Sequence, residues 1–443
     1  MSDLPEFLVG GERARLIPVA PSGHRERQAC SVLLAVLSVV YPFARHVFSR
    51  MGYRLGRRSW IEAYTEIVFK KQDPDDADDR PDGLLLARST QSEWSAIIEA
   101  KIGASRIKPD QIARYYKIAK ANRIDAIITI SNELTTRPDH LPYDLPTDIG
   151  GGVAIFHWSW PTLCMIAAGV VKEASSFDEE QAFILKEAIR YFDHQNSEIR
   201  GLTSMPSSWN GLVQRLRAGA AVRRDDADVI DALRSWHQAQ ASFCVALTRE
   251  VGVQFNVKLR RQYQYDQQQL WADDLSFFVE NNQLSFEFEV PDAPGELHVT
   301  VDVQKRNVIC SLLVAAPSSP KQYVGKLNWL LKQLPPESDA TASIHVIWKH
   351  GRRTSAGLSE LRSNPEIARI EKQGAQPRAF EIVAATDLDR KFGPQSFPQA
   401  VQSAILDFYE TVVKHLRAPK SPRSAEGAEL IDEDAEDAWM PTA

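Results

Sequence analysis

The spacing of apolar residues predicts that the chain begins with a helix followed by a strand. Apolar positions at helical intervals predict a helix over 24–50, with Leu33, Leu37 and Val40 on its inward stripe. Alternating apolar and polar residues predict a strand over 59–71. One predicted face of that strand carries Ile61, Ala63, Thr65, Ile67 and Phe69. The other face carries Glu62, Tyr64, Glu66 and Val68.

Two short apolar runs come next, and the brief segment between them predicts an antiparallel hairpin. Its strands cover about 82–88 and 93–101 and are joined by the residues STQS. The pattern then predicts helices over 109–123, 161–172 and 178–193, and strands over 125–132 and 152–160. Together these elements form one compact α/β domain, which we place at residues 1–195.

The rest of the chain predicts a connection and a second domain. Residues 196–280 are predicted as a helical connecting region, and residues 281–418 as a second α/β domain of unknown role. Its strands are expected near 283–290, 296–304, 307–315, 341–349 and 378–385, and its helices near 319–334 and 396–417. Residues 419–443 are rich in proline, serine and acidic residues, which predicts a disordered tail.

Composition excludes several classes of protein. The longest apolar stretch, 29–44, is shorter than a membrane span and contains Pro42, and residues 1–20 lack the features of a signal peptide. We therefore expect a cytoplasmic protein without membrane contact. The four cysteines lack disulfide or zinc spacing and are expected to be buried thiols. The ten histidines show no HxxxH or HExxH pattern, so a zinc enzyme is not expected.

The negative charge is concentrated in the tail. Residues 424–443 contain seven acidic residues and no basic one. Taking these seven negative charges away from the formal net charge of −6 leaves +1 for residues 1–423. A surface that binds nucleic acid must therefore be local. The tail itself is either a solubilising end or a mimic of nucleic acid.

The ends of the predicted hairpin bring together two carboxylates and a lysine. Side chains alternate along a strand, so Glu99 and Lys101 share one face. Antiparallel pairing places Asp82, at the start of the first strand, beside them. Two close carboxylates repel each other, and a divalent cation such as Mg²⁺ or Mn²⁺ relieves that repulsion. Since a nearby lysine can orient water and stabilise charge on a phosphate, this set suits phosphodiester hydrolysis.

Two features next to the hairpin favour this interpretation over its alternative, a hairpin that merely pairs charges in an unrelated α/β protein. Gln111 and Tyr115 are one helical turn apart, on the same face of the helix that follows Lys101. The segment is also locally basic, with an uninterrupted ridge at helical spacing that is fit to follow a phosphate backbone. Its basic residues after Lys101 are Arg106, Lys108, Arg114, Lys117, Lys120 and Arg123. Arg57 and Arg58, just before the strand at 59–71, are further candidate phosphate contacts or else part of a solvated loop.

On Pro81-Asp82, Glu99-Ala100-Lys101 and Gln111-x-x-x-Tyr115, the chain resembles the PD-(D/E)xK, or restriction-endonuclease-like, nuclease superfamily. The Gln-x-x-x-Tyr element is similar to that of RecB-type nucleases. The resemblance covers about residues 20–165 and implies a mixed sheet flanked by helices. It implies that Asp82 and Glu99 bind Mg²⁺ or Mn²⁺, that Lys101 positions water, and that Gln111 and Tyr115 are auxiliary.

The identity of a third acidic residue is open. Glu26 lies on the inward stripe of the first helix, and the resemblance implies that it is a further metal ligand of the catalytic site. A glutamate at a helix start is equally explained by the helix dipole. Glu66, on the neighbouring strand, is the competing candidate.

These observations predict a metal-dependent nuclease that acts on DNA in preference to RNA. By analogy of architecture, such a chain suits a bacterial defence or restriction effector. The alternative is a catalytically idle nuclease-like fold that binds nucleic acid or serves as a scaffold. The second domain is a candidate surface for a protein partner, and the superfamily resemblance makes a homodimer possible.

Overall fold

The computed structural model describes residues 4–18, 24–70, 80–90, 92–103, 105–147, 149–172, 178–199, 204–264, 266–349, 352–370 and 375–419. The chain divides into two compact units. The first contains residues 1–203 and 234–253, and the second contains residues 204–233 and 254–443. The region 196–280, predicted as a helical connection, is therefore shared between the two units. The predicted disordered tail lies, apart from its first residue, outside the described residues.

The first unit is built on a mixed six-stranded sheet. Its strands are β1 (Leu8–Arg13), β2 (Trp60–Phe69), β3 (Gly83–Arg88), β4 (Glu93–Ala100), β5 (Ala126–Ser131) and β6 (Ala154–Ser159). They lie side by side in the order in which they occur along the chain. The first four strands pair antiparallel, whereas β4, β5 and β6 pair parallel. The predicted hairpin is thus confirmed as β3 and β4, and the mixed sheet is confirmed as well.

Helices cover both faces of this sheet. They are α1 (Arg25–Val39), α2 (Tyr41–Arg50), α3 (Pro109–Asn122), α4 (Trp160–Lys172) and α5 (Glu179–Asp193). Apolar side chains of α1, α2, α4 and α5 pack on one face, and those of α3 pack on the other. Pro109 begins α3, and Arg123 ends it in a left-handed conformation with φ of 58°. The two cores fix which strand residues face α1 and which face α3.

The helix predicted over 24–50 is wrong in one respect, because the chain bends sharply within it. Helices α1 and α2 meet at an angle of 106°, on either side of Val40. Pro42 lacks an amide hydrogen and its ring would clash with the carbonyl of Ser38, so one continuous helix cannot form there. The bend lets both helices bury apolar residues against the same sheet.

The prediction for residues 59–71 misses a change of face. Ile61 and Ala63 pack on the α1 side, whereas Ile67 and Phe69 pack on the α3 side. The register with β1 shifts at Glu66, which has a positive φ of 53°. An extra residue in a strand reverses the alternation beyond it, as a β-bulge does. Strand β1, which supplies this edge pairing, was not predicted.

The second unit contains a seven-stranded sheet. Its strands are β7 (Asn256–Val257), β8 (Gln283–Glu289), β9 (Leu297–Asp302), β10 (Asn307–Ala315), β11 (Ala342–Trp348), β12 (Arg353–Gly357) and β13 (Pro377–Asp387). Their order is β12-β11-β13-β10-β9-β8-β7, and every pairing is antiparallel. Alternate residues along these strands are buried, which is typical of a sheet with one covered face.

Six further helices are present among the described residues after position 203. They are α6 (Trp209–Arg217), α7 (Ala227–Val251), α8 (Gln267–Asn281), α9 (Tyr323–Leu331), α10 (Leu358–Ser363) and α11 (Ser396–Thr411). The predicted strands and helices of this region are present, but β7, β12 and α10 were missed because they are short. The antiparallel pairing makes this region an α+β fold. Among the described helices, none is by itself long and apolar enough to cross a membrane, and only the bent pair α1–α2 meets that test in combination.

Candidate active site

Asp82 and Glu99 lie beside each other at one end of the β3–β4 hairpin. Gly83 pairs with Ile98, so the next pair in register is Asp82 with Glu99. Asp82 Oδ2 accepts a hydrogen bond of 2.8 Å from the amide of Ala100. Ile97 packs on the α3 side of the sheet and Ile98 on the α1 side, which places Glu99 on the α3 side. The convergence predicted from strand alternation is therefore present.

Three donors hold the Glu99 carboxylate, which is only 2% exposed. Lys101 Nζ lies 2.5 Å from Glu99 Oε1, and Gln111 Nε2 donates to the same oxygen at 3.0 Å. Tyr115 Oη donates to Glu99 Oε2 at 2.9 Å. Gln111 Nε2 also lies 2.8 Å from Tyr115 Oη. The one-turn spacing of the two α3 residues thus serves to fix a single carboxylate in the sheet.

Asp82, Glu99 and Lys101 together form what we call the carboxylate cluster. Glu26 reaches this cluster from the first turn of α1. Its Oε2 lies 3.5 Å from Lys101 Nζ, and its Oε1 accepts from the amide of Ile102 at 3.4 Å. Glu66 instead forms an exposed ion pair of 3.0 Å with Arg27. Of the two candidate third acids, Glu26 is therefore the one in contact with the described cluster.

The electrostatic environment of the cluster disfavours a second negative charge. Burial, and then the Glu99 carboxylate, raise the pKa of Asp82 to about 7, although Lys101 and the Ala100 amide oppose this. Burial alone would lower the pKa of Lys101, but the Glu99 and Asp82 carboxylates outweigh it and raise that pKa. Burial and Glu99 likewise raise the pKa of Tyr115, which keeps its hydroxyl a donor.

The donor set fits a hard divalent cation in its chemistry. Three carboxylates (Asp82, Glu99 and Glu26) face one ammonium group, which leaves an excess of negative charge when all ionise. Among the described residues, no group of three or more His, Cys, Asp or Glu side chains is placed so that it could hold a metal ion. Mg²⁺ typically keeps several water ligands and is held by one or two carboxylates together with substrate phosphates.

A polar row continues from Glu99 across the sheet, and sequence reasoning missed it. Glu99 pairs with Thr129 on β5, which pairs with His157 on β6. Thr129 Oγ1 lies 2.9 Å from His157 Nδ1 and 2.9 Å from Tyr143 Oη. His157 Nε2 lies 2.9 Å from the carbonyl of Glu133, which assigns the ring hydrogen to Nε2.

Burial keeps this histidine neutral. It lowers the pKa of His157 to about 4, despite the opposing hydrogen bond to the Glu133 carbonyl. Thr129 is a polar residue within the apolar run AIITIS, at the position in register with Glu99. This threonine was the sequence signal for the polar row, because an isolated hydroxyl in a buried strand needs a hydrogen-bond partner.

The basic residues of α3 form an exposed ridge that leads away from the cluster. Lys117, Lys120 and Arg123 are exposed, and the Lys120 ammonium lies 5.8 Å from the centre of the Tyr116 ring. Helix α3 begins at the cluster and ends near the start of β5. The remaining predicted contacts are Lys108, which is exposed at the start of α3, Arg106, which lies 3.9 Å from Glu133, and Arg114, which is half-buried.

Arg57 and Arg58 are exposed but lie at the other end of the sheet. They precede Trp60, which pairs with Arg88 at the end of β3 opposite to Asp82. Asp82 and Arg88 are six residue steps apart along the strand, which amounts to about 20 Å. The structure does not bring these two arginines together with the carboxylate cluster.

The cysteine prediction holds for three of the four residues. All four are free thiols, but Cys164 is half-buried, in contrast to the buried Cys30, Cys244 and Cys310. Cys30 lies close to the cluster, where burial and then Asp82 and Glu99 raise the pKa of its thiol.

Comparison with known proteins gives no further assignment. No protein-family model, no curated protein and no solved structure matches this chain.

Proposed function

We propose that the first unit is a metal-dependent nuclease that hydrolyses phosphodiester bonds, with DNA as its substrate. One observation carries the proposal: a buried carboxylate, Glu99, is held by three donors directly beside Asp82, whose pKa is raised. Proteins avoid collecting acids in this way unless a cation or a reaction requires it. The mixed sheet with helices on both faces supports the resemblance to restriction-endonuclease-like enzymes.

Each side chain of the cluster would have its own role in the hydrolysis. Asp82 and Glu99 would hold one Mg²⁺ or Mn²⁺, and Glu26 would add charge from the α1 side. When bound, such a cation polarises the phosphoryl oxygen and makes bound water more acidic. Lys101, whose Nζ lies 2.5 Å from Glu99 Oε1, would orient the attacking water and stabilise negative charge on the phosphate. Gln111 and Tyr115 keep the Glu99 carboxylate in one orientation.

The exposed basic residues of α3 would contact the phosphate backbone. Lys108 stands next to the cluster, and Lys117 and Lys120 continue along the helix. Their contacts would be independent of base sequence, because they recognise only charge. The body of the chain is close to neutral, so this ridge would provide local attraction.

A second candidate function has one observation in its favour. Both oxygens of Glu99 already accept hydrogen bonds from protein donors, so the carboxylate is satisfied without a cation. An idle nuclease-like fold that binds nucleic acid would show the same contacts. The two functions differ in their need for metal: the nuclease requires a divalent cation, whereas the idle fold does not.

The deciding experiment is a cleavage assay on supercoiled, linear and single-stranded DNA, and on RNA, with Mg²⁺, Mn²⁺ or EDTA. Wild type is compared with Glu99→Gln and Lys101→Met. Glu93→Gln is the matched control, because Glu93 lies on the same strand at its exposed end, paired with Arg88. We expect cleavage that requires metal, is lost in the first two variants and is retained in the control.

Calorimetry with Mn²⁺ separates the two functions if no substrate is cut. Binding that disappears in Glu99→Gln would indicate a metal site that waits for a partner. Absence of both cleavage and metal binding would rule out the nuclease, and retained DNA binding would then establish the idle fold.

A further inference from the structure

The three residues that follow β4, Lys101, Ile102 and Gly103, form what we call the lysine segment. Strand β4 ends at Ala100, so this segment lies beyond the regular pairing with β3. The amide of Lys101 donates to the carbonyl of Ile130 on β5 at 2.8 Å. The candidate reactive lysine therefore takes its backbone position from residues outside its own hairpin.

A further hydrogen bond to this segment comes from Trp160, the first residue of α4. Its indole Nε1 donates to the carbonyl of Lys101 at 2.9 Å. The Trp160 side chain is 0% exposed, and 5.4 Å separates its ring centre from that of Phe192. An indole has one donor and no acceptor, so this contact uses the single donor of the ring. A buried, packed ring thus fixes the carbonyl of the lysine.

The other end of the lysine segment is held by Asn132, just after β5. Asn132 Nδ2 donates to the carbonyl of Gly103 at 3.1 Å and to that of Glu198 at 2.7 Å. The amide of Gly103 donates to the same Glu198 carbonyl at 3.1 Å. Gly103 has a φ of 62°, and a Cβ at this position would lie 2.5 Å from Glu198 Oε2. The segment is therefore closed tightly against the chain that follows α5.

The ammonium group of Lys101 is held only by groups near the proposed cation. Its Nζ lies 2.5 Å from Glu99 Oε1, 3.2 Å from the Ala100 carbonyl and 3.5 Å from Glu26 Oε2. In the proposed nuclease, Glu99 and Glu26 would share their charge with a divalent cation, which weakens their attraction for the ammonium. Because the stem of a lysine is flexible, its direction then depends on the position of the backbone. This step rests on the proposed function.

We propose that Trp160 is a positioning residue for Lys101, whose backbone it fixes so that the ammonium stays at the carboxylate cluster when a cation shares Glu99. Asn132 supports the same segment from its other end. Both residues act through Lys101, the side chain that would meet the phosphate.

The chain offers a matched control two residues before Trp160. Trp158 is also buried, at 4% exposure, and its ring centre lies 6.4 Å from that of Phe48. Its Nε1 has no hydrogen-bond partner among the described residues. Replacement by phenylalanine removes similar apolar area at both positions, but only at Trp160 does it remove a hydrogen bond to Lys101.

The first test observes the Lys101 side chain without any cleavage. The full chain is produced with lysine that carries ¹³C at Cε, and the NMR signal of Lys101 is assigned by its absence in Lys101→Met. Spectra are recorded in EDTA and with Mg²⁺. We expect Trp160→Phe to shift this signal toward those of exposed lysines, and to shift it most with Mg²⁺. Trp158→Phe should leave it at its wild-type position.

The second test separates positioning from substrate binding in the cleavage assay. For Trp160→Phe, kcat should fall about fivefold, the effect of one lost neutral hydrogen bond. KM should stay unchanged, because the indole contacts Lys101 and not DNA. Asn132→Leu has a similar size but no donor, and it should produce a smaller shift of the Lys101 signal. Since Asn132 is only half-buried, this variant keeps the test valid if Trp160→Phe does not fold.

The two proposals fail in different ways. If the Lys101 signal keeps its wild-type position in both Trp160→Phe and Asn132→Leu, the positioning role is wrong, whatever happens to cleavage. An equal shift in Trp158→Phe would assign the effect to core packing and would also overturn the proposal. If wild type cuts no DNA but the shift is specific to Trp160→Phe in EDTA, the nuclease is wrong and the positioning of Lys101 stands.

Discussion

The two ends of the β3–β4 hairpin both carry clustered charges, but they differ in balance and burial. At the far end, Glu62 and Glu93 contact Arg88, and Glu62 also lies 3.4 Å from Arg13. Two acids therefore meet two bases, and the side chains are 16% to 44% exposed. At the near end, Lys101 is the one basic side chain within the described part of the chain that contacts the three acids, and the Glu99 side chain is 2% exposed.

This difference separates a structural ion-pair network from a candidate reaction site. A balanced, solvated network of ion pairs contributes little to stability and needs no ligand to neutralise it. An unbalanced, buried one costs free energy and persists only if a ligand or a reaction needs the charge. The near end also has dedicated donors from another element, Gln111 and Tyr115, whereas the far end is held by β3 and β4 themselves and by residues of β2 and β1.

Removal of the basic side chain at each end should give the largest contrast in stability and in cleavage. Lys101→Met leaves three acids without a counter-charge and should destabilise the first unit by about 3 kcal/mol, as does breaking a buried pair. It should also abolish cleavage. Arg88→Met at the far end should cost about 1 kcal/mol or less and leave cleavage intact. Urea unfolding and the plasmid assay measure both. If both variants lost the same stability and the same cleavage, the near end would be no more a reaction site than the far end.

The raised pKa of Asp82 predicts that the folding stability depends on pH, and that this dependence arises at the near end. Between the unfolded value near 4 and the folded value of about 7, the folded chain holds one more proton than the unfolded chain. In EDTA, stability should therefore fall as pH rises through this window, by on the order of 1 kcal/mol per pH unit from this group. Asp82→Asn should remove that slope, and Glu93→Gln should not.

Metal binding should show the opposite trend, because a cation requires ionised Asp82. The affinity for Mn²⁺ should rise up to about pH 7 and then level off, with release of about one proton per ion. Calorimetry in two buffers of different ionisation enthalpy measures that proton. An affinity that is constant from about pH 5 to pH 8 would contradict the role of Asp82 as a ligand.

The contrast between the ends also shows what the sequence could predict. Local rules were sufficient for the hairpin, for the shared face of Glu99 and Lys101, and for the turn that aligns Gln111 with Tyr115. They failed where distant chain segments decide the outcome. The bulge at Glu66 depends on pairing with β1, and the polar row through Thr129 and His157 requires strands from separate parts of the chain to align.

Tyr115→Phe tests the donors that only the near end has. Loss of its hydroxyl leaves Glu99 Oε2 without its donor in a buried site, which should cost about 1 to 2 kcal/mol of stability. Cleavage should fall about tenfold, because the carboxylate loses its fixed orientation. Tyr116→Phe is the matched control: its hydroxyl donates to the Gly151 carbonyl at 2.9 Å, away from Glu99. Its kcat should be unchanged, and an equal fall in both variants would indicate general loosening of α3.

The smallest expected effect compares basic residues at the two ends. Lys108 is exposed beside the cluster, whereas Arg58 is exposed at the far end, about 20 Å away along the strands. If short DNA lies across the cluster, Lys108→Gln removes one phosphate contact and should reduce the slope of log affinity against log salt by about one. Arg58→Gln should leave that slope unchanged, since a short duplex does not reach it. A slope that depends on Arg58 instead would mean that DNA crosses the sheet from end to end.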